Sequence, residues 1–424
     1  MSREMPLGFV VTSYNILPYI DRCLDSLAAC VRPGDRVVLV DDGSSDGSAE
    51  RIAERAAAGL GAGVTVTPVL FGTNTIGGVG IAGNTGMAEV LADPALAGLF
   101  FVDGDDWLEA PGFHACRAAF ERSGADILIG NYAEYDEAKD SHRRPADAAR
   151  WARVPALRRG GTGEAARDLA LAMIAVPWRK FYRSDFLRRH GLRFPEGRFF
   201  FEDNPFHWAV CLKAESIAFH DALLCQHRIN RPGQTMASTG AELAAFFDHY
   251  RTIRGLLPTG DETARAGTAL DWLLNNMAWH VERLAPSAYW AYAGRAAQVL
   301  AEVPEPVWQA AAERFASTQI GAVAGALRRG DVPGVVAVWA ASRTQSLLSG
   351  VQSHLRRLET ALADQGQRTG ALERQMRIGQ EIARYAALRD LPMPDLPPAL
   401  PASLLPEMAP EMAGEDGDAG PLQS

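Results

Sequence analysis

Cysteine is scarce and ill-spaced for pairing: Cys23, Cys30, Cys116, Cys211 and Cys225 are the only five in 424 residues, and no two form a CxxC. An odd set without that motif excludes a disulfide framework or a zinc–thiolate cluster as the organising device, and makes a reducing cytoplasm the expected compartment. Long apolar runs are also missing. No stretch approaches the roughly 20 apolar residues that cross a bilayer, and the run inside MSREMPLGFVVTSYN is too short for a signal peptide. Any membrane contact is therefore expected to be peripheral, at the inner face. Basic charge is not in excess either: 42 Lys and Arg stand against 51 Asp and Glu, a net charge of -9. That balance excludes a nucleic-acid partner held by general basicity. No internal repeat is present. What remains is an ordinary globular composition, 47% hydrophobic and 22% charged, with length for two or three domains.

The first 135 residues alternate strand and helix signals. LGFVVTSYN, RVVLVDDGSSDGS, VTVTPVL, GLFFVDGDD and ADILIGNYAEY are short apolar runs that break into polar residues. Pro18 suits the first turn of a helix reaching Cys30, Ser45 is the expected N-cap of the next helix, and AGNTGMAEVLA reads as a loop entering a third. Strands and helices at this spacing predict βαβ units and a mostly parallel sheet with flanking helices. Ligands of such sheets sit beyond the carboxyl ends of the strands. Three of those ends carry Thr12–Ser13, Asp41–Asp42 and Asp103–Asp105–Asp106, so they should line one crevice. The charged stretch 136–161 reads as a mobile loop or insertion. Residues 241–340 are mostly helical in pattern, with Trp272, Trp279 and Trp290 available for a second core. From Leu348 to Leu362 apolar residues recur at spacings of 3 and 4, and again at Leu372 and Met376, which predicts a long helix over 341–390 with a coiled-coil seam. Residues 391–424 hold eight prolines and an acidic end, a composition expected to be disordered.

Each chemical motif taken alone leaves two readings open. In DGDD, Asp103 and Asp105 either share one hard divalent cation, Mg2+ or Mn2+, or form a solvated acidic turn. In VDDGSSDGS, Asp41 either accepts from a base or a ribose hydroxyl, or belongs to a turn and cap. In FFFEDNPFHW, Glu202 and Asp203 follow an aromatic run that would raise their pKa, as a general base requires, or they simply mark a helix start. His227, Arg228 and Arg231 in HRINRPGQT are phosphate clamps or a surface basic loop. Lys180 and Tyr182 in WRKFY contact phosphate or sugar, or pack.

In order, the chain shows VTSYN, VDDGSSDGS, NTGM, DGDDW, WRKFY, FPEGRFFFEDNPF and HRINRPGQT. Over roughly residues 5 to 240 this order resembles the family 2 glycosyltransferases of the GT-A fold. The resemblance implies a GT-A domain over 1–240, ahead of a helical region over 241–340. It implies an inverting enzyme that moves a sugar from a nucleotide-diphosphate sugar, a UDP-sugar above others, to a hydroxyl of a glycan, lipid-linked or polymer acceptor. It places Thr12, Tyr14 and Asn15 beside the nucleotide, Asp41 at the base with Asp42 nearby, and Asn84, Gly104, Lys180 and Arg228 among the donor contacts. Asp103 and Asp105 become the DxD pair at metal and diphosphate. Asp203 becomes the general base, with Glu202 beside it.

The chain departs from the family pattern in three places. Gly83 stands in AGNTG where many relatives have arginine. Arg179 stands in Trp178–Arg179–Lys180 where asparagine is common. Gln226–His227 replace a tyrosine pair, which makes His227 a third metal ligand or a packing residue. Two other functions compete. A nucleotidyltransferase would need a glycine-rich basic loop of the GxGxR kind after the first strand, and none is present. A sugar-nucleotide-binding or scaffold protein without activity would have no need of both the DxD and the Glu–Asp pair. The 343–390 segment is the expected site of homo-oligomer formation.

Overall fold

The computed structural model describes residues 5–158, 163–234, 238–258 and 264–389. The proline-rich stretch 391–424, expected above to be disordered, lies outside the described residues. Nine strands form one sheet: β1 (Leu7–Ser13), β2 (Arg36–Asp41), β3 (Thr65–Leu70), β4 (Gly98–Asp103), β5 (Trp107–Leu108), β6 (Ile127–Asp136), β7 (Ser141–Arg143), β8 (Lys180–Arg183) and β9 (Ile217–Ile229). Their order is β3-β2-β1-β4-β8-β6-β9-β5, with β7 on the side of β6. The first four are parallel, as the βαβ spacing predicts. The other half is mixed: β8 runs antiparallel to both β4 and β6, and β9 runs parallel to β6.

Burial explains the parallel half. β1, β2 and β4 are covered on both faces and are near-continuous apolar runs. β3 is half exposed and lies at the sheet edge, where Pro68 costs no ladder bond. The register brings Thr12 opposite Asp103 and Ser13 opposite Asp41. Three strand ends thus open on one side.

Helix Leu17–Ala28 has Pro18 in its first turn and buries Ile20, Cys23, Leu24 and Leu27, one stripe at i, i+3, i+4 and i+7. The next helix begins at Ser48, after Gly47 in the left-handed region (φ 96°), and not at Ser45. Ser45 is engaged elsewhere, its N–H donating to Asn15 Oδ1 at 2.9 Å. The stretch read as a loop at AGNTG is helical, within Gly80–Leu91. There a Cβ on Gly83 would lie 3.1 Å from the Phe194 ring, so the arginine seen in relatives has no room without moving Phe194.

Much of 136–161 is tied down, contrary to the expectation of a mobile loop. It holds β7, the turn Ala148–Arg153 and the short helix Val154–Arg158. Asp147 and Arg179 form an ion pair at 2.6 Å with no exposed surface on either side chain, and Trp151 is buried. Arg143 pairs with Glu134 and Lys139 with Asp136, while Arg144, Arg150 and Arg153 are exposed. The helical region adds no separate tryptophan core. Trp290 is 59% exposed, and one apolar cluster runs from the sheet through Leu270, Leu273 and Met277.

By contacts the chain divides at 343 into Met1–Arg343 and Thr344–Ser424. The helix Val332–Arg389 buries Val335 and Trp339 within the first unit. In the second, nearly every described side chain is exposed.

Candidate active site

The cavity at the strand ends is lined by Thr12, Ser13, Tyr14, Asp42, Asn74, Asp103, Asp105, Trp178, Glu202, Asp203, His227 and Arg231, with the Gly77–Gly78–Val79 turn on one wall. Non-glycine residues with positive φ flank it: Asn15 (49°), Ile76 (51°), Phe201 (68°) and Asn230 (60°). A β-branched residue such as Ile76 adopts that conformation only when its surroundings over-determine it, a pattern concentrated at functional sites.

Asp41 and Asp42 separate by one residue into different roles. Asp41 is fully buried and accepts from Ser13 Oγ (3.1 Å), the Ser44 N–H (2.8 Å) and Ser44 Oγ (2.6 Å). It is not among the cavity-lining residues. Asp42 is, and accepts from Asn74 Nδ2 (3.1 Å), the Thr75 N–H (3.1 Å) and Thr75 Oγ1 (3.0 Å). Burial raises its pKa, and the Thr75 bonds work against that rise.

The acidic cluster consists of Asp103, Asp105 and Asp106, whose ligand atoms lie within 4.8 Å of one another. Asp106 accepts the Arg228 N–H at 2.7 Å and pairs with His227 Nδ1 at 2.9 Å. Asp105 pairs with the Arg231 guanidinium. Among the described residues the Asp103 carboxylate has only Thr12 Oγ1, at 3.5 Å. Burial, and then the charges of Asp106 and Asp105, hold Asp103 far above the usual carboxylate range. Burial opposes the charge on His227, but Asp106, Asp105 and Asp103 together outweigh it and lift the imidazolium to about 9. His227 is also stacked on Trp178, centroids 4.8 Å apart. Protein cations therefore answer two of the three carboxylates. Asp103 faces the cavity with no ion-pair partner among the described residues, and feels His227 only through space.

Across the cavity, Glu202 and Asp203 open the helix Asp203–Lys213. Glu202 is buried, and its Oε1 accepts the Gly80 N–H at 2.6 Å. Its Oε2 has no partner among the described residues. A Cβ on Gly78 would fall 2.3 Å from Oε1, so the glycine turn closes directly over this carboxyl. Burial, and then Asp203, push Glu202 up to about 8. Asp203 is half-buried and raised by burial to about 6, the rise being limited by its backbone bond and by Lys180. Lys180 is buried, donates to the Val176 carbonyl and is pushed down by burial to about 7. The turn that presents this pair is held from behind. His249 Nε2 lies 2.7 Å from the Phe200 carbonyl, Phe246 packs on Phe201 at 4.7 Å, and Trp272 Nε1 donates to Asn204 Oδ1 at 3.2 Å.

Of the residues singled out from sequence, Thr12, Tyr14, Asp42, Asp103, Asp105, Glu202, Asp203 and His227 meet in this cavity. Asn15, Asp41, Asn84, Gly104, Lys180 and Arg228 are not among its lining residues. Asn15 ties the Ser44–Ser45 turn to the end of β1. Asn84 joins the helix Gly80–Leu91 to Phe194 and Glu196. Gly104 donates its N–H to the Thr12 carbonyl at 2.9 Å. Arg228 pairs with Glu137 and donates Nε to the Asp105 carbonyl at 2.9 Å. The guanidinium that lines the cavity belongs to Arg231. Sequence reasoning assigned no role to Asp106, Asn74 or Thr75. DGDD contained the first in plain view, whereas the packing of GTNT on Asp42 leaves no sequence signal.

A parallel half-sheet continued by a mixed half, with carboxylates at the strand ends and a helical region behind, defines a GT-A glycosyltransferase fold. Solved structures agree. TarS 1-349 of S. aureus in complex with UDP-GlcNAc has a TM-score of 0.61 at 20% identity, covering 80% of this chain and 92% of that one. The same fragment in complex with UDP has a TM-score of 0.58 at 16% identity. At these identities the likeness is one of fold. Residues 9–191 match the model for glycosyl transferase family 2. That stretch is similar to the glycosyltransferases of family 2. The chain is 29% identical over 227 residues to the uncharacterized glycosyltransferase EpsJ of Bacillus subtilis (strain 168), covering 53% of this chain and 61% of that protein. It is 26% identical over 130 residues to the glycosyltransferase GlyA of Streptococcus pneumoniae, 31% of this chain and 17% of that protein. The chain thus spans less than two thirds of either relative.

Proposed function

We propose that this chain is an inverting, divalent-metal-dependent glycosyltransferase. In this reading it transfers a sugar from a nucleotide-diphosphate sugar, a UDP-sugar foremost, to a hydroxyl of a glycan, lipid-linked or polymer acceptor in surface polysaccharide or glycoconjugate synthesis. The observation that carries it is the meeting of two kinds of carboxylate in one cavity. Asp103 and Asp105 are closely spaced hard oxygen donors, and Asp203 is a separate carboxylate with a pKa near 6. The donor set fits Mg2+ or Mn2+: all three clustered groups are carboxylates, and Asp103 has no protein cation of its own. Asp103 and Asp105 would hold the ion, and a bound ion would neutralise charge on the departing nucleoside diphosphate.

The protein's own residues have distinct tasks. Asp42, with Asn74 and Thr75, offers a polar edge for the nucleoside, next to Thr12 and Tyr14. Arg231 and charged His227 supply positive charge beside the diphosphate. Asp203, ionised at neutral pH, takes the proton of the acceptor hydroxyl as its oxygen bonds to the anomeric carbon and the bond from that carbon to the diphosphate oxygen breaks. Glu202, held protonated, keeps the glycine turn in place and does not take the proton.

The test is incubation with a panel of sugar nucleotides, Mn2+ and candidate acceptors, reading UDP or GDP release and the anomeric configuration of the product. Release with inversion supports the proposal. Pyrophosphate release from a nucleoside triphosphate would point to a nucleotidyltransferase. Silence with every donor, together with retained nucleotide binding, would point to a binding or scaffold role.

A further inference from the structure

The outer part of the helix Val332–Arg389 carries a narrow apolar stripe. Its members Leu348, Val351, Leu355, Leu358 and Leu362 are 47% to 67% exposed. Their 3-4 spacing puts them at the a and d positions of successive heptads. Gln365 and Thr369 occupy the next d and a positions, and Leu372 and Met376, 57% and 66% exposed, resume the stripe. From Ile378 the apolar residues shift by one heptad position, so the continuous seam ends near Met376. Apart from Leu347 at a g position, the stripe keeps to a and d, which suits one facing helix and not a globular core, which needs a wider apolar face.

We infer that this stripe is the seam of a parallel, in-register coiled-coil dimer between two copies of this chain. The flanking charges select both the partner and its direction. Arg368 lies at g and Glu373 at the following e. In a parallel pair, residues so related face each other across the seam, giving Arg368 of each copy opposite Glu373 of the other. His354 and Glu359 stand in the same relation. The antiparallel arrangement that matches the polar layers, Gln365 of one copy against Thr369 of the other, sets Glu359 against Glu373 and Arg368 against its own counterpart. Every charged contact then repels. In the parallel register Gln365 meets Gln365 and Thr369 meets Thr369, so polar groups pair with their own kind. A one-heptad slip would bury Gln365 against Leu358 or Leu372, and Thr369 against Leu362 or Met376. A polar layer of this sort fixes register in coiled coils.

The full-length chain should show twice its 45.7 kDa mass by light scattering. All five native cysteines are buried, so Val351→Cys introduces an exposed thiol whose oxidative self-cross-linking reports register. Mild oxidation should join two such chains through one disulfide. Arg368→Glu should weaken the dimer roughly tenfold, through two new like-charge contacts per dimer. Adding Glu373→Arg should restore it. A monomeric or trimeric mass would overturn the inference. So would a dimer in which neither Val351→Cys nor Ala383→Cys alone cross-links while the two together do, because residues 351 and 383 meet only in the antiparallel register. Failure of the charge exchange to rescue would equally reject the parallel pairing.

Discussion

Replacing Glu202 by glutamine should stabilise the protein at neutral pH, and the gain should vanish in acid. In the fold this carboxyl is pushed up from 4.5 to about 8 by burial beside Asp203. An unfolded chain ionises it near its ordinary value. Between those two limits the unfolded state has released the proton and the folded state still holds it. The term is therefore favourable below pH 4.5 and is lost as pH rises toward 8. At pH 7 the gap is about two and a half units, and at roughly 1.4 kcal/mol per unit the wild type gives up about 3 kcal/mol. Glutamine has nothing to ionise. Its carbonyl can still accept the Gly80 N–H, and its amide takes the place of the protonated Oε2, which has no partner among the described residues. Denaturant unfolding of both proteins from pH 4.5 to 8 checks this. The difference should be near zero at the acid end and about 2–3 kcal/mol in favour of the variant at pH 7. Turnover of the variant should stay within about tenfold of wild type, because a protonated group cannot be the base. A stability difference independent of pH would refute a protonated Glu202, and a dead variant would move the base from Asp203 to Glu202.

Asp203→Asn should lower turnover on the order of 100-fold or more, as loss of a general base does, while nucleotide affinity measured by calorimetry changes little. The wild-type rate should rise with pH to half its plateau near 6, where Asp203 releases its proton, and a flat profile from pH 5 to 7 would contradict that role. Chelation with EDTA should stop turnover and Mn2+ should restore it; full activity in EDTA would remove the metal from Asp103 and Asp105. Asp147→Ala should destabilise the fold by about 3–5 kcal/mol, since it leaves the Arg179 guanidinium buried without its counter-charge, and thermal unfolding reads this directly.

The parallel half of the sheet was legible because β1, β2 and β4 are buried on both faces and therefore had to be apolar. The mixed half was not. β8 is the four residues Lys180–Arg183, two of them basic, and nothing in that composition announces a central strand. The same blindness made 136–161 read as a mobile loop or insertion. A run of charges looks alike whether water or an opposite charge answers it, and Asp147 finds Arg179 only in three dimensions. At the site, the order of motifs brought Asp103, Asp105 and Asp203 forward as a group. It did not say which of two neighbouring like residues lines the cavity. Asp41 and Asp42, or Arg228 and Arg231, are equivalent in composition, and strand ends and turns decide between them.

The turn that carries Glu202 and Asp203 is held by His249, Phe246 and Trp272, all more than 40 residues further along the chain. The stretch that matches the family model ends at residue 191, before either carboxylate. Homology and chemistry therefore have different borders in this protein. An engineer who grafted only the recognisable segment onto another scaffold would transplant the acidic cluster without its opposing carboxylates. One who cut at residue 240 would keep those carboxylates and discard their buttress. The smallest exchangeable module runs through the helices that brace the turn, and substitutions in them are a route to tuning catalysis without touching the cavity.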